Sequence, residues 1–160
     1  MISIRIICVG KLKEKFYSDA ADEYSKRLSG YCKLEVIELP EHRLPDAPSE
    51  AQIAIALSKE RDAIAGKLQA GAVTVALCIE GRELDSRGLS ELLAGYAGRG
   101  TSQFCFIVGG SYGLHEDIKN RANIKLSMSK MTFPHNLARV MLLEQLYRSY
   151  KIAEGGKYHK

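Results

Sequence analysis

The chain has 160 residues, of which 46% are hydrophobic and 26% charged, and its formal net charge is +4. The length fits one domain, and the composition is close to the globular average, which excludes disordered, collagen-like and coiled-coil proteins. No apolar run approaches the ~20 residues that span a bilayer. The apolar start of the chain contains Arg5 and no small-residue cleavage site, so it predicts a first strand and not a signal peptide.

Short apolar runs alternate with helical patterns along the whole chain. Five runs predict strands: Ile2–Val9, Lys33–Leu39, Ala72–Ile79, Gln103–Val108 and Ile124–Ser127. Five segments predict helices: Phe16–Leu28, a helix from Ser49 to near Gly66, Ser86–Tyr96, His115–Arg121 and Pro134–Ile152. The second strand alternates polar and apolar residues, which predicts a place near a sheet edge, and the continuously apolar third strand is predicted to be buried on both faces. The order predicts one α/β domain, residues 1–160, with a mostly parallel sheet and helices on both faces.

The four cysteines are scattered and form no C-x-x-C pair; they are Cys8, Cys32, Cys78 and Cys105. Zinc and redox sites usually show paired spacing, so the pattern favours buried, reduced thiols in a cytoplasmic protein without a metal.

Ligands of open α/β sheets bind at the carboxyl ends of strands, which singles out three loops: Glu80–Asp85, Gly109–Gly113 and Ser127–Pro134. Each has a structural alternative as an ordinary connector. In the first, Gly81 could supply a turn and Asp85 or Ser86 a helix cap. The second is neither G-x-G-x-x-G nor a P-loop, so dinucleotide and ATP-phosphate sites lose their main support. The third could offer backbone groups to a polar ligand while its Met and Phe side chains cover an apolar ring.

The last helix is apolar on nearly two sides, which predicts that one side faces the sheet and the other a second subunit, or that the helix is central within one domain. After Tyr147 the chain interleaves cations with aromatic residues, which suits phosphate contacts and base stacking, although a frayed terminus is the alternative. His159 could position or deprotonate a substrate. Of the other histidines, His135 beside the third loop is the better candidate; His115 is explained by helix capping, and His42 by its exposed connector.

Five stretches together resemble one known family: Val9–Glu14, the strand that runs into Gly81, Val108–Leu114, Leu126–His135, and the ending Tyr147-Arg148 with Lys157–Lys160. The chain resembles the ribosomal RNA large subunit methyltransferase H family over essentially its whole length. The resemblance implies a SPOUT-type fold with a C-terminal trefoil knot, S-adenosylmethionine as cofactor, and a homodimer. It also implies methylation of N3 of a pseudouridine in 23S rRNA on the assembled ribosome or large subunit.

The resemblance carries site residues onto this sequence. The implied cofactor-binding residues are Leu77, Gly109, Met128, Ser129, Lys130, Met131, Thr132 and Phe133. On the substrate side, we expect His159 to take the N3 proton, Arg148 to stabilise the developing negative charge, and Tyr158 to stack on or orient the base. Weaker candidates for RNA contacts are His135, Arg139, Lys157 and Lys160. We also expect the second subunit and the ribosome to contribute to the substrate site.

Two other functions remain open from the sequence. A non-catalytic ribosome-associated binding module would keep the fold without transferring methyl groups, but it leaves the composition of the Met128–Phe133 loop unexplained. A small nucleotide-binding regulator would need a phosphate-binding signature, which the sequence lacks.

Overall fold

The sheet has five parallel strands in the order β2-β1-β4-β3-β5. The computed structural model describes residues 1–159. The strands are β1 (Ser3–Val9), β2 (Lys33–Leu39), β3 (Val73–Glu83), β4 (Gln103–Val108) and β5 (Ile124–Ser127). The parallel pairing confirms the predicted sheet, and β2 lies at an edge, as its alternating pattern predicts.

Helices cover both faces of this sheet. They are α1 (Lys15–Leu28), α2 (Glu50–Ala65), α3 (Ser86–Gly98), α4 (Glu116–Arg121) and α5 (His135–Ala153). One core joins side chains of α1, α3 and α5 to the first face, and a second core joins those of α2 and α4 to the other. Between α1 and α3, α5 packs centrally on its face, so neighbouring helices of the same chain cover much of its apolar surface. The trefoil knot stays a prediction of the resemblance.

Three helix starts have the side-chain caps that the sequence predicts. Ser49 and Gln52 form a reciprocal capping box at α2, in which the Ser49 hydroxyl accepts from the Gln52 amide at 3.1 Å. Asp85 caps α3. At α4, His115 Nδ1 accepts a hydrogen bond from the Asp117 amide at 3.0 Å. The capping role therefore explains His115, because each cap satisfies a backbone donor that the helix itself leaves free.

The third strand runs further than predicted. β3 passes Ile79 and ends at Glu83, so most of the first predicted loop is strand. A bulge makes this extension possible, because Leu77 and Arg82 both oppose Leu126 across the pair with β5. The prediction of burial on both faces is wrong at this end of the strand, since Ile79 is 52% exposed.

Gly81 lies in the β3 bulge, where its backbone crosses close to β5. A Cβ atom there would lie 2.8 Å from the backbone N and C atoms of Leu126. The residue therefore permits a close approach of two strands and does not supply the turn that the sequence predicts; its φ is not positive.

Replacing Gly81 with alanine is expected to lower the free energy of unfolding by about 1–3 kcal/mol, because the added methyl group forces the two strands apart. Urea unfolding followed by circular dichroism measures the change. Gly98→Ala is the matched control, because nothing lies within 4 Å of a Cβ at that position. We expect it to change stability by less than about 1 kcal/mol, within the range of helix propensity. Equal effects at both positions would contradict the close crossing.

The prediction of buried cysteines is confirmed at three of the four positions and is wrong at Cys78. Cys8, Cys32 and Cys105 are buried, and Cys78 is partly exposed. Burial raises the pKa of Cys32 and of Cys105 to about 11 in each case, so these thiols are protonated at neutral pH and are poor nucleophiles.

Within residues 1–159, no three His, Cys, Asp or Glu side chains come together as a metal site. None of the five helices described combines the length and the apolar composition needed to cross a membrane.

Candidate active site

A cavity of about 850 Å³ opens at the carboxyl ends of β3 and β4. Its walls come from the end of β3, the glycine turn after β4, and the loop between β5 and α5. The glycine turn and the loop between β5 and α5 are two of the three places that the sequence singles out, whereas the first predicted loop contributes only Glu80 to the lining. The volume falls in the range of small-molecule sites, roughly 300–1,000 Å³. Parallel strands and short loops thus bring segments from three parts of the chain to one edge of the sheet.

Most of the predicted cofactor-binding residues line this cavity. Those in the lining are Leu77, Gly109, Met128, Ser129, Met131, Thr132 and Phe133. Lys130 is exposed and is not part of the lining. The cavity therefore combines backbone polar groups of two loops with apolar side chains, the combination that holds a ligand with both a polar chain and a flat ring.

The glycine turn is closed by its own backbone. The Gly113 amide donates to the Gly110 carbonyl at 3.1 Å, and Gly113 has a φ of +77°, which favours glycine. A Cβ at Gly109 would lie 2.5 Å from the Gly113 carbonyl oxygen. The turn is also tied to the connector after β2, because the Ser111 hydroxyl donates to Glu41 Oε1 at 3.0 Å. Any side chain at Gly109 would displace this wall of the cavity.

The loop between β5 and α5 is held by its own hydroxyl groups. The Ser127 hydroxyl donates to the Ser129 carbonyl at 2.9 Å, and the Ser129 hydroxyl accepts from the Met131 amide at 3.0 Å. These bonds turn the backbone without regular secondary structure and leave Met131 projecting, with 73% of the residue exposed. The mixed composition of this loop, which follows neither helical nor strand periodicity, thus has a structural cause.

Exposed apolar side chains surround the mouth of the cavity. Ile79, Tyr112 and Met131 are 52%, 48% and 73% exposed, and all three contribute to the lining. Large exposed apolar side chains at one concave place mark a surface that a ligand or a partner covers. The mouth is therefore suited to contact a further molecule as well as the occupant of the cavity.

An ion pair that sequence analysis missed forms another part of the wall. Lys119 Nζ lies 2.6 Å from Glu80 Oε1, and the lysine side chain is only 15% exposed. The hydrogen bond from Lys119 lowers the pKa of Glu80 below its ordinary value. Both side chains line the cavity. The sequence carries no signal for this pair, because Glu80 falls in a predicted loop and Lys119 in a short predicted helix from another part of the chain.

The first turns of α5 hold two of the weaker RNA-binding candidates. His135 lines the cavity of about 850 Å³ described above, which we call the cofactor-type cavity, and also a neighbouring cavity of about 740 Å³. Arg139 is 5% exposed. Its Nη1 and Nη2 both donate to Glu38 Oε2 at 2.8 Å, and Nη2 also donates to the Gly10 carbonyl at 3.3 Å. The guanidinium thus joins α5 to the ends of β1 and β2, and this placement does not favour a contact with RNA.

The three predicted catalytic residues lie together at the far end of α5. Arg148 Nη1 is 3.4 Å from His159 Nδ1. The Arg148 guanidinium carbon lies 4.7 Å from the centre of the Tyr158 ring, a cation–π geometry. Lys157 is exposed beside them, and Lys160 lies outside the described residues. The tail therefore brings a cation, a phenol and an imidazole together, although 157–159 follow the last helix with little regular structure. We call Arg148, Tyr158 and His159 the tail cluster.

The cofactor-type cavity and the tail cluster are separated along the same helix. Ala138 contributes to the cavity, and Arg148 follows it ten residues later, about 15 Å along α5. Among the described residues that line the cavity, none comes from the tail cluster. One chain therefore does not bring its own Arg148, Tyr158 and His159 to its own cavity in this arrangement.

Comparisons with known proteins identify the family of this chain. A family model described as "Predicted SPOUT methyltransferase" matches residues 2–159. The chain is 49% identical to the Ribosomal RNA large subunit methyltransferase H of Clostridium novyi (strain NT) over 159 residues, which cover 99% of this chain and 100% of that protein. It is 45% identical to the protein of the same name from Clostridioides difficile (strain 630), with the same coverage.

A solved structure supports the fold. The "Probable Methyltransferase from Bordetella pertussis Tohama I" matches with a TM-score of 0.59 and 18% identity, over 92% of this chain and 94% of that chain. The sequence resemblance and the α/β fold are thus confirmed by independent comparisons. The chain belongs to the SPOUT methyltransferase family and is a relative of the ribosomal RNA large subunit methyltransferases H.

Proposed function

We propose that this protein transfers a methyl group from S-adenosylmethionine to N3 of a pseudouridine in 23S rRNA. We place the reaction in the cytoplasm, on the assembled ribosome or large subunit. The observation that carries the proposal is the cavity at the ends of β3 and β4, whose lining contains seven of the eight residues implied for the cofactor. The names of the relatives supply the rRNA substrate class.

The cavity lining fits such a cofactor on chemical grounds. Leu77, Met128 and Phe133 offer apolar surface for an adenine ring, and the backbone of the two loops offers donors and acceptors for its edge and for the ribose. When bound, S-adenosylmethionine supplies a methyl group made electrophilic by its sulfonium. The residues of this chain hold it and exclude water, so that a nucleophile can approach in line.

The tail residues supply the remaining chemistry. N3 of the pyrimidine ring must lose its proton before or during its attack on the methyl carbon, and the electron pair of the broken sulfur–methyl bond stays on the sulfur of the product S-adenosylhomocysteine. An arginine always donates, so His159 Nδ1 accepts in the contact with Arg148, and the neutral imidazole then carries its proton on Nε2. When Nη1 of Arg148 donates instead to a carbonyl oxygen of the pseudouridine ring, the lone pair of His159 Nδ1 becomes free to take the N3 proton. Arg148 then faces the negative charge that develops on the ring, and Tyr158 orients the base.

We also propose a homodimer in which each cavity is completed by the tail of the other subunit. The separation of about 15 Å along α5 between cavity and tail supports this arrangement, and the exposed apolar mouth offers a surface to cover. Two-fold symmetric dimers are the commonest homo-oligomers, and their symmetry would give each of the two cavities the same contact with the other subunit's tail.

A complementation experiment tests the shared site. Gly109→Arg blocks the cofactor-type cavity and His159→Ala removes the proposed base in the tail. We therefore expect the homodimer of either variant alone to be inactive. Co-expression gives mixed dimers that contain one intact cavity facing one intact tail, and we expect about a quarter of the wild-type activity. If the mixture stays inactive although the tagged subunits co-purify as mixed dimers, the tail acts in its own chain and the shared site is wrong.

Calorimetric titration tests the cofactor. We expect S-adenosylmethionine to bind the purified wild-type protein with a measurable heat, and addition of S-adenosylhomocysteine to compete with it. Wild-type protein that binds neither compound would refute the proposed methyl transfer and favour the non-catalytic binding module.

A further inference from the structure

Glu144 lies at the centre of the tail cluster, on the helix that the tail folds against. Its Oε1 accepts from Arg148 Nη2 at 2.6 Å and from Arg148 Nε at 3.0 Å. The same oxygen accepts from the Tyr158 hydroxyl at 3.1 Å. The other oxygen accepts from Gln145 Nε2 at 2.7 Å. With 17% of its side chain exposed, Glu144 is one carboxylate that holds two residues of the proposed catalytic group.

The way Glu144 binds Arg148 fixes which edge of the guanidinium is free. The carboxylate occupies Nε and Nη2, so Nη1 points away from it and toward His159. A planar guanidinium with one edge held by a carboxylate presents its remaining donor in a defined direction. Nη1 is the donor that the proposed mechanism assigns to the substrate oxygen.

The same carboxylate is one of the groups that attach the tail to α5. The Tyr158 ring packs edge-on against Tyr147, with 5.0 Å between the ring centres, and lies under Arg148. Burial and the neighbouring Glu144 carboxylate raise the pKa of Tyr158, so its hydroxyl is protonated at neutral pH and donates to Glu144. Loss of the carboxylate would remove the acceptor of this hydroxyl and the anchor of Arg148 together.

We propose that Glu144 is a positioning residue that holds Arg148 and Tyr158 and so presents His159 to the substrate. It does not contact the substrate itself. The effect on turnover rests on the proposed methyl transfer, whereas the attachment of the tail to α5 does not.

Two variants and one control test this role. Glu144→Ala removes the acceptor, and Glu144→Gln keeps the size and one acceptor oxygen but loses the charge, which weakens the bonds. Glu154→Gln is the matched control, because Glu154 caps the tail end of α5 and also pairs with a cation and a tyrosine, Lys151 and Tyr31. All four proteins are assayed for kcat, for the KM of the ribosomal substrate and of the cofactor, and for tryptic cleavage after Lys157.

We expect Glu144→Ala to lower kcat at least about tenfold, and to accelerate cleavage after Lys157 by about the same factor, because charge-assisted bonds that hold the tail are lost. Glu144→Gln should lie between Glu144→Ala and wild type. The KM for the cofactor and the midpoint of thermal unfolding should stay at their wild-type values, which separates a positioning role from a general loss of structure. Glu154→Gln should change neither kcat nor cleavage by more than about twofold, as is usual for exposed pairs.

The readouts separate the possible failures. If Glu144→Ala matches Glu154→Gln in both kcat and cleavage, Glu144 has no positioning role. If wild type transfers no methyl group but Glu144→Ala still speeds cleavage, the proposed reaction fails and the tail attachment stands. If Glu144→Ala does not fold, Glu144→Gln decides the matter by the same two measurements.

Discussion

Replacing His159 with alanine is expected to lower kcat for methyl transfer by about 100-fold or more, the usual range for loss of a general base. The cofactor affinity should not change, because His159 lies in the tail cluster and not in the cavity lining. Single-turnover assays at saturating ribosomal substrate, combined with calorimetric titration of S-adenosylmethionine, measure the two quantities separately.

His42→Ala is the matched control for this experiment, because His42 lies in the connector after β2 and belongs neither to the tail nor to the cofactor-type cavity. It should keep wild-type kcat. Full single-turnover methylation by His159→Ala would remove the proposed base, and the proton would then have to leave to solvent or to another group.

The second large effect is expected for Gly109→Arg, which should reduce the affinity for S-adenosylmethionine by about 100-fold or more. A Cβ at this position lies 2.5 Å from the Gly113 carbonyl oxygen, so the glycine turn must move, and the rest of the arginine side chain enters the cavity. The side chain takes up volume that the cofactor would occupy and displaces the backbone that would contact it, and a 100-fold loss of affinity corresponds to about 2.7 kcal/mol of binding free energy.

Gly98→Arg controls for the chemistry of the substitution, since it adds the same side chain at the end of α3 where nothing lies within 4 Å of a Cβ. It should bind the cofactor as wild type does. Thermal unfolding of both variants shows whether Gly109→Arg is still folded. A folded Gly109→Arg protein with wild-type affinity would place the cofactor elsewhere.

Local sequence patterns predict the bounds of most strands. They fail where pairing with a strand that is distant in the sequence determines how far a strand extends. β2, β4 and β5 have the predicted bounds. β3 extends past Ile79 because a bulge lets it pair again with β5, about 45 residues later in the chain. That pairing depends on tertiary contacts, and the alternation of residues within 80–83 carries no signal for it.

The cavity could be predicted because its position follows from topology alone. The carboxyl ends of parallel strands meet at one edge, so the segments after β4 and β5 converge there, beside residues 77–80 within β3. The individual side chains are less predictable. Lys130 turns to solvent although its neighbours line the cavity, and Glu80 pairs with Lys119 from another element.

The position of Arg139 could not be predicted from the sequence of α5. This weaker candidate for RNA contacts is buried against Glu38 at the end of β2. The two residues are 101 positions apart, and helical periodicity cannot show that an edge strand places a carboxylate beside one turn of the helix. Glu144 was missed for a similar reason, because its partner Tyr158 approaches only when the tail folds back.

The most direct test of the proposed function is the methylated nucleoside itself. Large subunits and whole ribosomes that lack the modification are incubated with S-adenosylmethionine and the protein, and their 23S rRNA is digested and examined by mass spectrometry. We expect a single N3-methylpseudouridine with wild-type protein and none with Gly109→Arg. If wild type leaves no more methyl groups on 23S rRNA than Gly109→Arg does, or methylates a different atom, the proposed reaction is wrong.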